Sequence, residues 1–374
     1  MLHRLLASII KEMLSVWRDP RSRQMVTLAP LMQVLIFTFA ATLEVSNVDL
    51  VVINEDSGHW SQELIHRISA AGFVGSLTYT SDMSDLGRRI ENGEALAGVR
   101  FPSDFSRNIA AGNVGRVQII FDGRHANSGQ ITFSYLSAIS ADLGIELRQR
   151  ALSATGVPIP AMPRAAVRQW YNPNLEYRWF IVPSLGATLA MMIALMLTTL
   201  SIARERELGT YDQLLVSPTT AMEIIASKTI PAMLFGFVLS CTVTLIAIYL
   251  FRIPFVGSAL LMLTGLVCFL FSAAGIGLTV SSLCQTQQQA MMGLFFCMVP
   301  LMLISGFITP VENMPHWLQH LAQLSPLTHY LIIIQGSFLK AMTLREMLDN
   351  IWPLALIGGI TCTIATVVVR ARME

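Results

Sequence analysis

Charge is scarce in this sequence. Asp, Glu, Lys and Arg make up 13 % of its 374 residues, about half the ~25 % of a soluble domain. That shortage excludes a disordered chain and an ordinary soluble enzyme, and a formal net charge of +1 excludes a nucleic-acid binder driven by bulk charge. Lysine is scarcer still, with only Lys11, Lys228 and Lys340. None has the preceding glycines of a phosphate loop, whose backbone N–H groups wrap a nucleotide, and Ser227-Lys228-Thr229 only comes nearest. The five cysteines (Cys241, Cys268, Cys284, Cys297 and Cys362) all lie in or beside apolar runs. They offer no disulfide framework and no metal-type spacing, and read as small buried side chains.

What is present is apolar: 53 % of residues, with a mean hydropathy of +0.57. The charges that exist are gathered. Residues 44–178 hold 14 acidic and 12 basic side chains, the composition of a water-soluble domain. Elsewhere five windows apolar enough to span carry none: Gln24–Leu43, Trp179–Ala203, Thr229–Phe251, the 59-residue Ile253–Val311, and Asn350–Val369. A helix needs ~20 apolar residues to cross ~30 Å of hydrocarbon, and only a helix satisfies its own backbone there. The 59-residue window suits two crossings, turning at Cys284–Gln289. Six spans are therefore expected, at 24–43, 179–203, 229–250, 258–283, 290–308 and 350–369. The apolar stretch within 310–340 is broken by Ser325-Pro326 and fits a re-entrant or interfacial pair of short helices.

Lysine and arginine in short loops set orientation. With the N-terminus inside, ten fall on inner loops and three (Arg252, Lys340 and Arg345) on outer ones, which favours cytoplasmic N- and C-termini and places 44–178 outside. Within 1–23, Leu2, Leu5, Leu6, Ile9, Ile10, Met13, Leu14 and Trp17 recur at helical spacing, as in a helix lying in the membrane surface. Residues 44–178 read as a small α/β domain. Strands are expected at Val48–Ile53, Ala95–Phe101 and Arg116–Phe121, a short helix at Ser103–Ala111 capped by Ser103, and a long one over 126–155. The proline-rich 156–163 is then a stiff linker. Asp122 and His125 are read as a solvated loop. No catalytic, cofactor or metal cluster is found, so ATP and Mg, if they drive this protein, belong to a separate subunit.

No acidic or basic residue lies inside the proposed spans. Ion-coupled carriers usually need such groups near the bilayer middle, which counts against the alternative of an ion-coupled secondary transporter or channel. Six spans are likewise excessive for a scaffold that anchors one domain. The remaining signal is Arg204-Glu205-Arg206-Glu207-x-Gly209-Thr210-x-x-x-Leu214-Leu215-x-Ser217-Pro218, which follows the second span. A second block is Ser305-Gly306-Phe307-x-x-Pro310-Val311-Glu312-Asn313-Met314-Pro315-x-Trp317-Leu318-Gln319, then Ser325-Pro326-Leu327-Thr328-His329-Tyr330. A third is Phe101-Pro102-x-Asp104-Phe105.

Together these blocks strongly resemble the permease subunits of ABC-2 type transporters, in particular the YbhR-like multidrug-efflux permeases of bacterial inner membranes. The resemblance runs nearly end to end. It implies a multi-pass exporter subunit, itself no enzyme, paired with a second permease chain, identical or related. A cytoplasmic ATP-binding subunit would supply hydrolysis. Hydrophobic drugs would be the cargo, with lipids or peptides left open. Arg204, Glu205, Arg206, Glu207, Gly209, Thr210, Leu214, Leu215, Ser217 and Pro218 would couple to that ATPase. Residues 1–23 would form an elbow-like helix beside it. Pro310, Glu312, Asn313, Pro315, Trp317, Pro326, His329 and Tyr330 would lie at an outer gate.

Overall fold

A computed structural model describes residues 2–40, 45, 47–154, 171–172, 176–210 and 220–371. The chain forms two compact units, one from Met1–Ala41 with Gln169–Glu374, the other from Thr42–Arg168. The first begins with α1 (Leu2–Arg18), whose Leu6, Ile10, Leu14 and Trp17 share an exposed apolar face. The run expected to make the first crossing is two helices, α2 (Pro20–Val26) and α3 (Leu28–Ala40), with a turn at Thr27. Pro30 explains the interruption: it has no N–H for the Val26 carbonyl, and its ring crowds that oxygen.

The second unit is an α/β fold. Strand β1 (Val48–Asn54) leads through α4 (His59–Ser69) to β2 (Val74–Tyr79), and α5 (Met83–Glu91) leads on to β3 (Ala97–Phe101). After α6 (Phe105–Ala110) come β4 (Gln118–Phe121) and the long α7 (Ala126–Ala154). The sheet order is β2-β1-β3-β4, parallel except at β3–β4. Leu50 and Val52 pack with Leu64, Ile68, Leu136 and Leu143 on one face. Val51 and Ile53 meet Leu86 and Ile90 on the other. The central β1 is covered on both sides, so it reads as a continuous apolar run.

Two expectations here are corrected. The short helix begins at Phe105 after Asp104, not at Ser103, and Asp104 holds Asn108 rather than the helix N–H groups. Asp122 is not solvated. It is 6 % exposed, and its carboxylate accepts from Arg124 Nε and Nη2 at 3.0 and 2.8 Å. Arg124 also donates to the Ile90 and Glu91 carbonyls at the end of α5. The edge strand β2 escapes a sequence reading because most of its residues are exposed and it holds a glycine.

The rest of the first unit is helical: α8 (Arg178–Glu207), α9 (Ala221–Tyr249), α10 (Ala259–Leu283), α11 (Gln287–Leu303), α12 (His316–Ala322), α13 (Pro326–Gln335) and α14 (Leu344–Ala371). Among the described residues, α8, α9, α10 and α14 are long and apolar enough to cross a membrane. α8 is central, with α9, α10 and α11 against it, and α10 also packs along α14. α11 starts at a Thr286 cap, and beyond its C-terminal cap Ile304 comes Gly306 at φ +91°. It therefore runs three residues earlier at its start and five shorter at its end than the expected 290–308. α12 and α13 are short, separated by residues 323–325, with Pro326 opening α13.

Candidate functional site

The charged quartet that closes α8 is fastened to four other helices. Glu205 is buried, and its Oε1 lies 2.7 Å from Lys228 Nζ on α9. The same ammonium is 2.8 Å from Glu12 Oε1 on α1, while Lys11 Nζ approaches Glu205 at 3.6 Å. The Lys228 side chain is 2 % exposed, so a charge-assisted bond on either side replaces its lost water. Glu205 Oε2 is buried with no hydrogen bond among the described residues.

The next two residues use helix ends. Arg206 Nη1 donates to the Ser282 and Cys284 carbonyls at 2.9 and 2.7 Å, where α10 stops. Glu207 Oε2 accepts from Gln287 N at 2.7 Å, where α11 starts. A cation on a C-terminus and an anion on an N-terminus both complement the helix dipole. Arg204 and Glu207 are exposed, Arg206 is half-buried and Glu205 is buried. One turn back, Ser281 Oγ accepts from Ile202 N and Ala203 N.

Gly209 then ends the helix. Its φ is +70°, Gly209 N donates to the Arg206 carbonyl at 3.1 Å, and Thr210 N to the Glu205 carbonyl at 3.0 Å. These paired bonds are a Schellman cap, which needs the left-handed conformation at its glycine. The loop is also fixed at its far side. Thr220 caps α9 by accepting from Glu223 N at 3.3 Å, and Glu223 Oε2 accepts from Thr220 N at 2.9 Å. Leu214, Leu215, Ser217 and Pro218 lie outside the described residues.

Sequence reasoning named the quartet but not its partners. It counted Lys228 among inner-loop charges, whereas the structure puts it within α9, buried. Two signals were available: a lone lysine just ahead of an uncharged run, and the Thr220-x-x-Glu223 capping box. Glu12 and Lys11 left no such mark, because their pairing spans more than 190 residues.

The second block divides in two. Pro310, Glu312, Asn313, Pro315 and Trp317 are exposed, Trp317 by 66 %. Pro326, His329 and Tyr330 are buried on α13. Tyr330 stacks on Phe269 of α10, with centroids 4.5 Å apart. His329 Nε2 donates to the Gln323 carbonyl at 2.9 Å, and its Nδ1 is 3.3 Å from Asn350 Oδ1 on α14. Ser325 Oγ donates to the Leu301 carbonyl of α11. The buried half thus ties α13 to α10, α11 and α14. Among the described residues, no group of acidic, histidine or cysteine side chains fits a metal ion.

Comparison with known proteins gives this geometry its context. The family model for "ABC-2 family transporter protein" matches residues 21–367. The probable multidrug ABC transporter permease YbhR of Escherichia coli K12 is 40 % identical over 373 residues, covering all of both chains. Escherichia coli K12 YbhS, also a probable multidrug ABC transporter permease, is 26 % identical over 90 % of this chain and 88 % of its own. ABC transporter G family member 20 of Dictyostelium discoideum is 21 % identical, matching 85 % of this chain and 44 % of its own length.

Proposed function

This chain belongs to the ABC-2 transporter family, and from that premise we propose that it is the permease of an ATP-driven exporter of hydrophobic compounds. In this reading it crosses a bacterial inner membrane six times, through α2–α3, α8, α9, α10, α11 and α14. Both termini are cytoplasmic, and 44–178 is outside. Two permease chains pair, and each receives a cytoplasmic ATP-binding subunit at 204–218, beside α1. Residues 310–330 line the outer gate.

One observation carries the reading: the quartet at the end of α8 pairs with Lys11 of α1 and Lys228 of α9 and bonds to the ends of α10 and α11 at once. A turn held this way transmits displacement, whereas a solvated loop absorbs it. When the ATP-binding subunits close, the loop after Gly209 is pushed, and four helices move with it. The helices then rock between two packings, and the cargo leaves.

Purification in gentle detergent, followed by mass spectrometry, tests this. An ATP-binding subunit is expected with the wild-type chain and is expected to be lost from Leu214→Asp. Transport by the purified chain alone in liposomes, driven by an ion gradient, would overturn the reading in favour of an ion-coupled carrier.

A further inference from the structure

A cavity of about 430 Å³ lies between α1, the α2–α3 pair and α9. Its volume is that of a small-molecule site. Met13, Leu14 and Trp17 form one wall, Val26 and Leu31 the second, and Val238 belongs to the third. Among the described residues its hydroxyls are Thr27 and Thr242. Thr27 Oγ1 already donates to the Arg23 carbonyl, so it does not ask for a polar ligand. Along α9 the lining runs from Leu234 to Thr242, ~12 Å at 1.5 Å per residue. That is a slot for a hydrocarbon chain.

The charge at one end says what the chain is attached to. Arg18 stands one turn after Leu14 on α1, and Arg23 stands one turn before Val26 on α2, so each shares a face with a lining residue. Both guanidinium groups are exposed, and neither is in an ion pair among the described residues. Residues 18–23 carry three arginines against Asp19. Trp17 is 53 % exposed at the rim, the place of an amphipathic ring at a membrane–water boundary. An apolar slot whose lining helices α1 and α2 each carry an exposed arginine one turn from a lining residue matches an amphiphile that carries a negative headgroup.

We propose that this groove is a binding site for an anionic phospholipid, with one acyl chain between α1, α3 and α9 and the phosphate between Arg18 and Arg23. The lipid wedges α1 against α9 next to the Glu12–Lys228 pair. The site is independent of the export reading.

The test uses the full-length chain in phosphatidylcholine vesicles containing trace spin-labelled phosphatidylglycerol or, separately, spin-labelled phosphatidylcholine. The protein-immobilised fraction is expected to be at least twofold larger for phosphatidylglycerol. Arg18→Gln with Arg23→Gln should erase that preference; both sites are exposed, so folding is spared. Equal immobilisation of the two lipids by the wild type, or a preference that survives the double substitution, would overturn the proposal. A benzophenone side chain at Val238 reads the occupant directly. A mass gain of one phospholipid after illumination supports it, and a doubled protein mass would assign the groove to a second copy of the chain instead.

Discussion

Lys228 is a single side chain on which three helices depend. From a buried position it neutralises Glu205 and Glu12, so its loss removes their shared cation and leaves Glu205 only the exposed Lys11 at 3.6 Å. Removing one partner of a buried pair costs about 3–5 kcal/mol, whereas replacing the whole pair by apolar groups can be nearly neutral. Lys228→Met is therefore expected to lower the thermal midpoint in detergent by several degrees. Lys228→Met with Glu205→Leu should recover part of that loss; a double variant as unstable as the sum of the singles would contradict the buried pairing. Gly209 is the second residue of this kind. Nothing crowds its Cα, so only its φ of +70° resists a side chain. Gly209→Ala should cost ~1–2 kcal/mol at the end of α8. Gly209→Pro should cost more, since it also removes the N–H given to Arg206. Hydrogen exchange in the last turn of α8 measures both.

Elements meet closely where side chains are small. A Cβ on Gly277 of α10 would clash with Thr198 Oγ1 and sit 2.9 Å from the Leu195 carbonyl oxygen, both on α8. Gly277→Val should therefore separate these helices and destabilise the chain by about 1–3 kcal/mol. Thr198→Ala should partly rescue Gly277→Ala, because the hydroxyl is the nearer obstacle; no rescue would mean the helices pack elsewhere. In the α/β unit, Arg67 joins α4 to α7 by bonds to Glu63 and Glu146 at 2.8 and 2.7 Å. These bonds hold both carboxylates below their usual range. A lowered folded-state value stabilises above the ordinary carboxylate range, and the stabilisation is lost as pH falls through the folded value. Protection of α4 and α7 from hydrogen exchange, corrected for intrinsic rate, should fall between roughly pH 5 and 3. Arg67→Gln should flatten that dependence. The periodicity of Leu6, Ile10 and Leu14 announced α1, and the apolar run Leu50–Ile53 announced β1, because each pattern repeats within one element. Strand β2 was hidden by its exposure.

Across the whole molecule, the sequence made the apolar helices legible through windows without charge. It also drew attention to Arg204–Glu207, because four alternating charges at the end of such a window are conspicuous. It could not reveal that Glu205 meets Lys228 and Glu12, that Arg206 holds the end of α10, or that Glu207 holds the start of α11. Those pairings join residues far apart in the chain, and no local spacing records them. They decide the mechanical reading, because they turn a charged loop into a joint. The most direct test is cargo exported per ATP hydrolysed, measured in liposomes that hold the chain with its ATP-binding subunit. Arg206→Ala with Glu207→Ala unfastens α10 and α11 while leaving the Lys228 cluster in place. Hydrolysis is expected to continue while export falls at least tenfold. An unchanged ratio of export to hydrolysis in that variant would contradict the account.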